Sequence, residues 1–151
     1  MAGGFVENYN VGGDIDSIGE IIDPIKINGM SQCTIPYNKT FKLNVPASPG
    51  IYPIVFNLGE HPVLAGKTIE LAGYSASLTG YSNDDFIELL VNSQVLEETW
   101  YMREIAENIT IGGGMSVYQI PVDSIFTVNF NNVSEFSKTL WFKFKMIYNE
   151  E

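Results

Sequence analysis

The sequence predicts an all-β fold, an antiparallel β-sandwich of jelly-roll type carrying an extended N-terminal arm. Three observations lead there. From Ser31 onward, short apolar runs alternate with Gly, Pro and Asn, the punctuation of strands and turns. The run TLWFKFKMIY alternates without a break: Leu140, Phe142, Phe144, Met146 and Tyr148 share one face, and Trp141, Lys143, Lys145 and Ile147 share the other. One face is core and the other half wet. Residues 1–30, by contrast, hold six of the fourteen glycines and no sustained period of two. The chain therefore divides into an arm, 1–30, and a sandwich, 31–151. At 151 residues, 45% hydrophobic and 17% charged, it is one domain's worth of chain with enough apolar content to fold.

Within the arm, a short helix over Ser17–Ile22 is expected, with Asp16 as its cap and Pro24 as its stop. FKLNV then places Phe41, Leu43 and Val45 on one face of a strand. IYPIVFNL is another short apolar run, and Pro53 inside it points to an edge strand or a bulge. KTIELAGYSASLTGYS, free of charge after Glu70, fits a strand crossing between two packed sheets, with Gly73 and Gly80 permitting bends. SVYQIPVDSIFTVNFNN gives two strands around Pro121, with Phe126, Val128 and Phe130 inward. Seven or so short strands of this kind make a sandwich of jelly-roll type.

DFIELLVNSQVLEETWYM, residues 85–102, admits two readings. As a helix, Phe86, Leu89 and Leu90 share a face, and Asp84 or Asp85 caps the start. As a hairpin, Asn92-Ser93 is the turn, and Ile87, Leu89 and Val91 join Leu96 and Trp100 on one apolar face. Val91, Val95, Thr99, Trp100 and Tyr101 favour extended chain, which selects the hairpin. In that register Glu88 falls opposite Glu97, a like-charge pair that needs a solvated face.

Net charge is −10, which argues against a nucleic-acid partner, because phosphate contacts need clustered Lys and Arg. No cofactor motif stands out, and none is expected. The single cysteine, Cys33, allows no internal disulfide and reads as a small buried apolar residue. The N-terminus has neither the basic patch nor the apolar run of a signal peptide. No apolar stretch approaches the roughly 20 residues that span a bilayer, so no membrane partner is expected. Asn-x-Ser/Thr triplets at Asn38, Asn108 and Asn132 read as chance in an Asn-rich chain.

Few residues can carry chemistry. His61 is the one histidine, so a multi-histidine metal site is excluded, and its setting, LGEHPVLAGK, is a turn between strands. Asp84-Asp85 and Glu97-Glu98 are adjacent carboxylates; on a strand, neighbours point to opposite faces and do not form an acid/base pair across a cleft. SNDD at 82–85 offers oxygen ligands for calcium, yet without the ligand order of an EF-hand loop, and reads first as a solvated loop. IGGGMSV at 111–117 is glycine-rich but has no neighbouring Lys and no following helix, as a phosphate cradle requires. The sequence thus predicts no catalytic residue, and a protein that is not an enzyme. Nine Phe, eight Tyr and two Trp leave one ligand-binding alternative. Trp100, Tyr101 and Trp141 could stack on a sugar in a carbohydrate-binding module, although such residues more often fill a sandwich core.

The run GYSNDDFIELLVNSQVLEETWYMREI, followed by FTVNFNNVSEFSKTLWFKFKMIY, resembles small jelly-roll modules in virion proteins of tailed bacteriophages. These include capsid decoration and tail-associated proteins. The shared elements are an acidic, aromatic opening to the hairpin, a two-residue turn, a Trp/Tyr return strand, and an Asn-Asn loop leading into a Leu-Trp-Phe strand. The likeness covers roughly residues 65–149, and its motifs are structural. It implies a non-enzymatic structural protein located in the virion, most simply a capsid decoration or stabilising protein. A tail- or baseplate-associated receptor-binding protein is the variant. Partners would be the major capsid or tail protein and further copies of the chain, as a homo-oligomer.

The arm adds a contact element. Its apolar side chains, among them Phe5, Tyr9, Ile18, Ile21 and Ile22, gain roughly 1.5–3 kcal/mol each when a large one is fully buried. They are too few to make a core, so they are expected to lie on the sandwich or on a neighbour, and these five are the candidate partner-binding residues.

Overall fold

The computed structural model describes residues 25–27, 29–80, 84–102 and 107–150. Segment 1–24, with its expected helix over 17–22 and the contact residues Phe5, Tyr9, Ile18, Ile21 and Ile22, lies outside the described residues. Ten strands are present among those described: β1 (Lys26–Ile27), β2 (Ile35–Val45), β3 (Gly50–Asn57), β4 (Ile69–Thr79), β5 (Phe86–Val91), β6 (Gln94–Tyr101), β7 (Glu107–Thr110), β8 (Tyr118–Ile120), β9 (Ile125–Asn132) and β10 (Lys138–Tyr148). Short 3-10 turns cover Leu58–Glu60 and Ile111–Gly114. The second covers the IGGG of the glycine-rich run IGGGMSV.

Two antiparallel sheets result. Sheet A has the order β1-β8-β4-β10-β2, with β7 also pairing β4, and sheet B has the order β3-β9-β5-β6. The pairing is nested. β2 pairs β10 in sheet A, β3 pairs β9 in sheet B, β4 pairs β7 and β8 in sheet A, and β5 pairs β6 in sheet B. A long double ribbon wrapped so that successive pairs fall alternately into the two sheets is a jelly roll. The sequence-predicted fold class therefore holds down to its topology.

The core follows from alternation. Leu140, Phe142, Phe144, Met146 and Tyr148 of β10 are buried, as are Phe126, Val128 and Phe130 of β9. Phe144 of sheet A meets Phe126 of sheet B with ring centroids 4.7 Å apart, and Phe142 meets Trp100 at 6.3 Å. Such tilted and edge-on aromatic pairs add to the area they bury. Pro53 sits on β3, an edge of sheet B, where its missing N–H costs no ladder bond.

The 85–102 stretch is a hairpin. Asn92 and Ser93 have φ of 49° and 75°, both positive as a type I′ turn requires. Its register departs from the simple one beyond the turn. Leu90 pairs Val95, but Leu89 pairs Glu97 and Ile87 pairs Trp100, so β6 carries two extra residues, and Thr99 adopts φ 54°. Glu88 thus does not face Glu97. It sits outward against Asn129, while the Glu97 carboxylate accepts the Tyr74 hydroxyl at 2.6 Å. The extra residues turn Glu97 inward and leave the exposed Glu98, with Thr99, opposite Glu88.

One further expectation changes. β4 does not cross between the sheets; it runs unbroken through sheet A, with one bulge against β10 between Lys145 and Met146. Gly73 borders that bulge, as a glycine permitting a bend would, and it also serves close approach: a Cβ there would lie 2.4 Å from the Ile109 carbonyl oxygen of β7.

Candidate functional site

The polar groups that the sequence marks for chemistry are engaged in holding loops. His61 Nδ1 accepts backbone N–H groups from Val63 and Leu64 at 3.1 and 3.2 Å, and Nε2 lies 2.8 Å from the Tyr37 hydroxyl. An Nδ1 that accepts leaves the proton on Nε2, so the ring donates to Tyr37. Burial, and then the Lys39 ammonium, hold its pKa below the ordinary value. The ring is a staple for the loop after β3.

Asp85 is buried and unavailable as a calcium ligand. Its Oδ2 lies 2.5 Å from Lys138 Nζ, with both side chains fully buried, and its Oδ1 accepts Val133 N–H at 3.0 Å. Lys138 also donates to Asn132 Oδ1 at 2.5 Å and to the Ser134 hydroxyl. Asn132 in turn donates to the carbonyls of Pro46 and Ser48. Asp84 is exposed. Among the described residues, no three of His, Cys, Asp and Glu come together as a metal site.

Glu70, buried on β4, accepts from the Ser31 hydroxyl at 2.7 Å and from the backbone N–H groups of Gln32 and Cys33. Burial raises its pKa, but these donors outweigh it and the net shift is downward. The Cys33 thiol, buried beside this carboxylate, is pushed up to about 11, which makes it a poor nucleophile at neutral pH.

Trp100, Tyr101 and Trp141 are not brought together. Trp100 is buried between Tyr74 and Phe142, and its indole N–H donates to Glu107 at 2.8 Å. Tyr101, the next residue, is exposed on the outside of sheet B, in edge contact with Phe86. Trp141 lies half-buried on the outside of sheet A. The sugar platform built from all three therefore has no common groove.

What the fold leaves presented are two outer faces of opposite character. On sheet B, cross-strand register lines up Ile51, Asn131, Phe86 and Tyr101 in one row, and Val55, Thr127, Leu90 and Val95 in another. Ile51 is 63% exposed, Val55 59%, Tyr101 52% and Val95 47%. Between the rows stand Pro53, Asn129, Glu88 and the exposed Glu98. On sheet A, one row is Lys42, Trp141 and Ser77, the next Thr40, Lys143, Ser75 and Asn108, and the third Asn38, Lys145 and Gly73. Lys145 donates to Asn108 Oδ1 at 3.2 Å. Lys42, Lys143 and the Trp141 indole N–H have no partner among the described residues. The sequence shows which residues leave each strand outward; which strands lie side by side comes only from the topology.

A family match covers residues 33–151, nearly the whole sandwich. The chain belongs to that family, described as a domain of unknown function, DUF8551. No curated protein and no solved structure matches the chain. The matched span begins at Cys33, where the Glu70 cluster anchors the chain to β4, and leaves segment 1–24 outside the family.

Proposed function

We propose that this chain is a non-enzymatic structural protein of a bacteriophage virion. It is a capsid decoration or stabilising protein that seats on the major capsid protein through the outer face of sheet B. The observation that carries this reading is the apolar character of that face. An outward antiparallel face is ordinarily polar, yet here Ile51, Val55, Phe86, Leu90, Val95 and Tyr101 stand in two rows, with Glu88 and the exposed Glu98 the carboxylates between them. Rows of exposed apolar residues rimmed by amides are the composition of a protein interface. The engagement of His61, Asp85, Lys138 and Glu70 as loop staples supports a scaffold rather than a catalyst. The resemblance to phage jelly-roll modules supplies the virion setting. A tail-associated position would use the same face on a tail protein.

Mass spectrometry of density-purified virions from the phage that encodes this chain tests the reading. The chain is expected in the particle band at a fixed ratio to the major capsid or tail protein. Recovery only from the unassembled fraction of the lysate would contradict it.

A further inference from the structure

We propose that the outer face of sheet A is the docking site for residues 1–24 of a second copy of this chain. The inference is independent of the virion setting, since it concerns contacts between copies.

Charge is distributed unevenly in this molecule. The chain has eight Lys and Arg against eighteen Asp and Glu. Three of the eight, Lys42, Lys143 and Lys145, stand on adjacent strands of the sheet A outer face, and Lys26 of β1 joins them at its edge. The one carboxylate in those rows is Glu70, buried under Ser31–Cys33. The face is therefore basic in a chain of net charge −10. Residues 1–24 are its complement: Glu7, Asp14, Asp16, Glu20 and Asp23, with no Lys or Arg. They also carry Phe5, Tyr9, Ile18, Ile21 and Ile22, apolar groups able to cover the Trp141 ring.

Length and entry point decide whose face is used. Twenty-four residues span up to about 80 Å when extended, several times the width of four strands spaced about 4.8 Å apart. Reach is not limiting. Ile25, however, donates its backbone N–H to Gln94 Oε1 of β6 at 3.1 Å. Ile25 thus sits on the sheet B side of the edge, with β1 and β8 between it and the middle of the outer face of its own sheet A. A neighbour's face meets no such obstacle. Reciprocal exchange of two segments closes a two-fold dimer. Individual exposed ion pairs contribute little, so the association rests on several pairs, the covered indole and the doubled contact.

Charge reversal tests this on the full chain. Lys42→Glu/Lys143→Glu reverses the face, and Asp16→Lys/Glu20→Lys reverses the segment. Because Lys42 and Lys143 make no hydrogen bond or ion pair among the described residues, the face variant is expected to keep the wild-type melting curve. By light scattering after size exclusion, the wild type is expected to be dimeric at low salt, and each variant alone to self-associate about tenfold more weakly or worse. An equimolar mixture of the two variants is expected to dimerise again, because each segment then finds a face of opposite charge. As a second measurement, a synthetic peptide of residues 1–24 is expected to dissociate the wild-type dimer. A monomeric wild type, which includes docking on the chain's own face, overturns the proposal. So does a wild-type oligomer that neither reversal weakens, or a mixture that stays monomeric.

Discussion

Lys138, the first residue of β10, and Asp85, the residue before β5, meet as a fully buried ion pair 2.5 Å apart. Around them Asn132, Ser134, Val133 and the carbonyls of Pro46 and Ser48 satisfy the remaining polar atoms. Three connections are thereby tied at one end of the sandwich: β2–β3, β4–β5 and β9–β10. Removing one partner leaves an uncompensated buried charge, which costs about 3–5 kcal/mol. Lys138→Met and Asp85→Leu are each expected to lose stability of that order in urea titration. The double variant is expected to lose less than the sum of the two, because no lone charge remains.

Thr99 is a β-branched residue held at φ 54°, within the irregular part of β6. Strain of this kind costs on the order of 1–3 kcal/mol. Thr99→Gly is expected to raise stability by up to about 1 kcal/mol, glycine's own entropy cost offsetting part of the relief. Ser93→Gly, which creates the favoured Asn-Gly turn, is expected to stabilise as well. Chemical denaturation of the two single variants checks both.

His61 makes the stability pH-dependent. Its folded pKa lies below the ordinary value of 6.5, through burial and then Lys39. As pH falls through 6.5, the unfolded chain takes up the proton first. The contribution is therefore complete above 6.5, declines below it, and levels off beneath the folded value. His61→Asn is expected to remove this slope from a plot of stability against pH while leaving assembly intact. Glu70, with its pKa held below 4.5, adds a separate loss at lower pH, as the solution falls through its folded value.

Deletion of residues 1–24 is expected to leave the melting transition nearly unchanged. Among the described residues, the buried core is drawn from residues 33–148. The same deletion is expected to abolish self-association. A truncated protein that melts far below the wild type would place the segment against its own core.

The alternation of TLWFKFKMIY and FTVNF made the central strands readable, and Asn92-Ser93 gave away the hairpin. Its register beyond Leu90 was not readable, because nothing local announces that Thr99 will enter the left-handed region. The close approach at Gly73 was hidden for a related reason: the requirement comes from Ile109, a residue 36 positions away. Lys138 and Asp85 are 53 residues apart and look like ordinary surface charges in sequence. The two outer faces were half readable. Trp141, Lys143 and Lys145 are plainly outward on one strand, but their alignment with Lys42, like that of Val55 with Val95, follows from the jelly-roll order.

Co-sedimentation tests the proposed seat of the protein most directly. Purified chain is mixed with phage particles assembled without it, and compared with Val55→Glu/Val95→Glu, two exposed substitutions in one row of the sheet B face. The expected result is that the wild type pellets with the particles while the variant, folded to the same melting temperature, stays in the supernatant. A variant that pellets as fully as the wild type would contradict docking through this face.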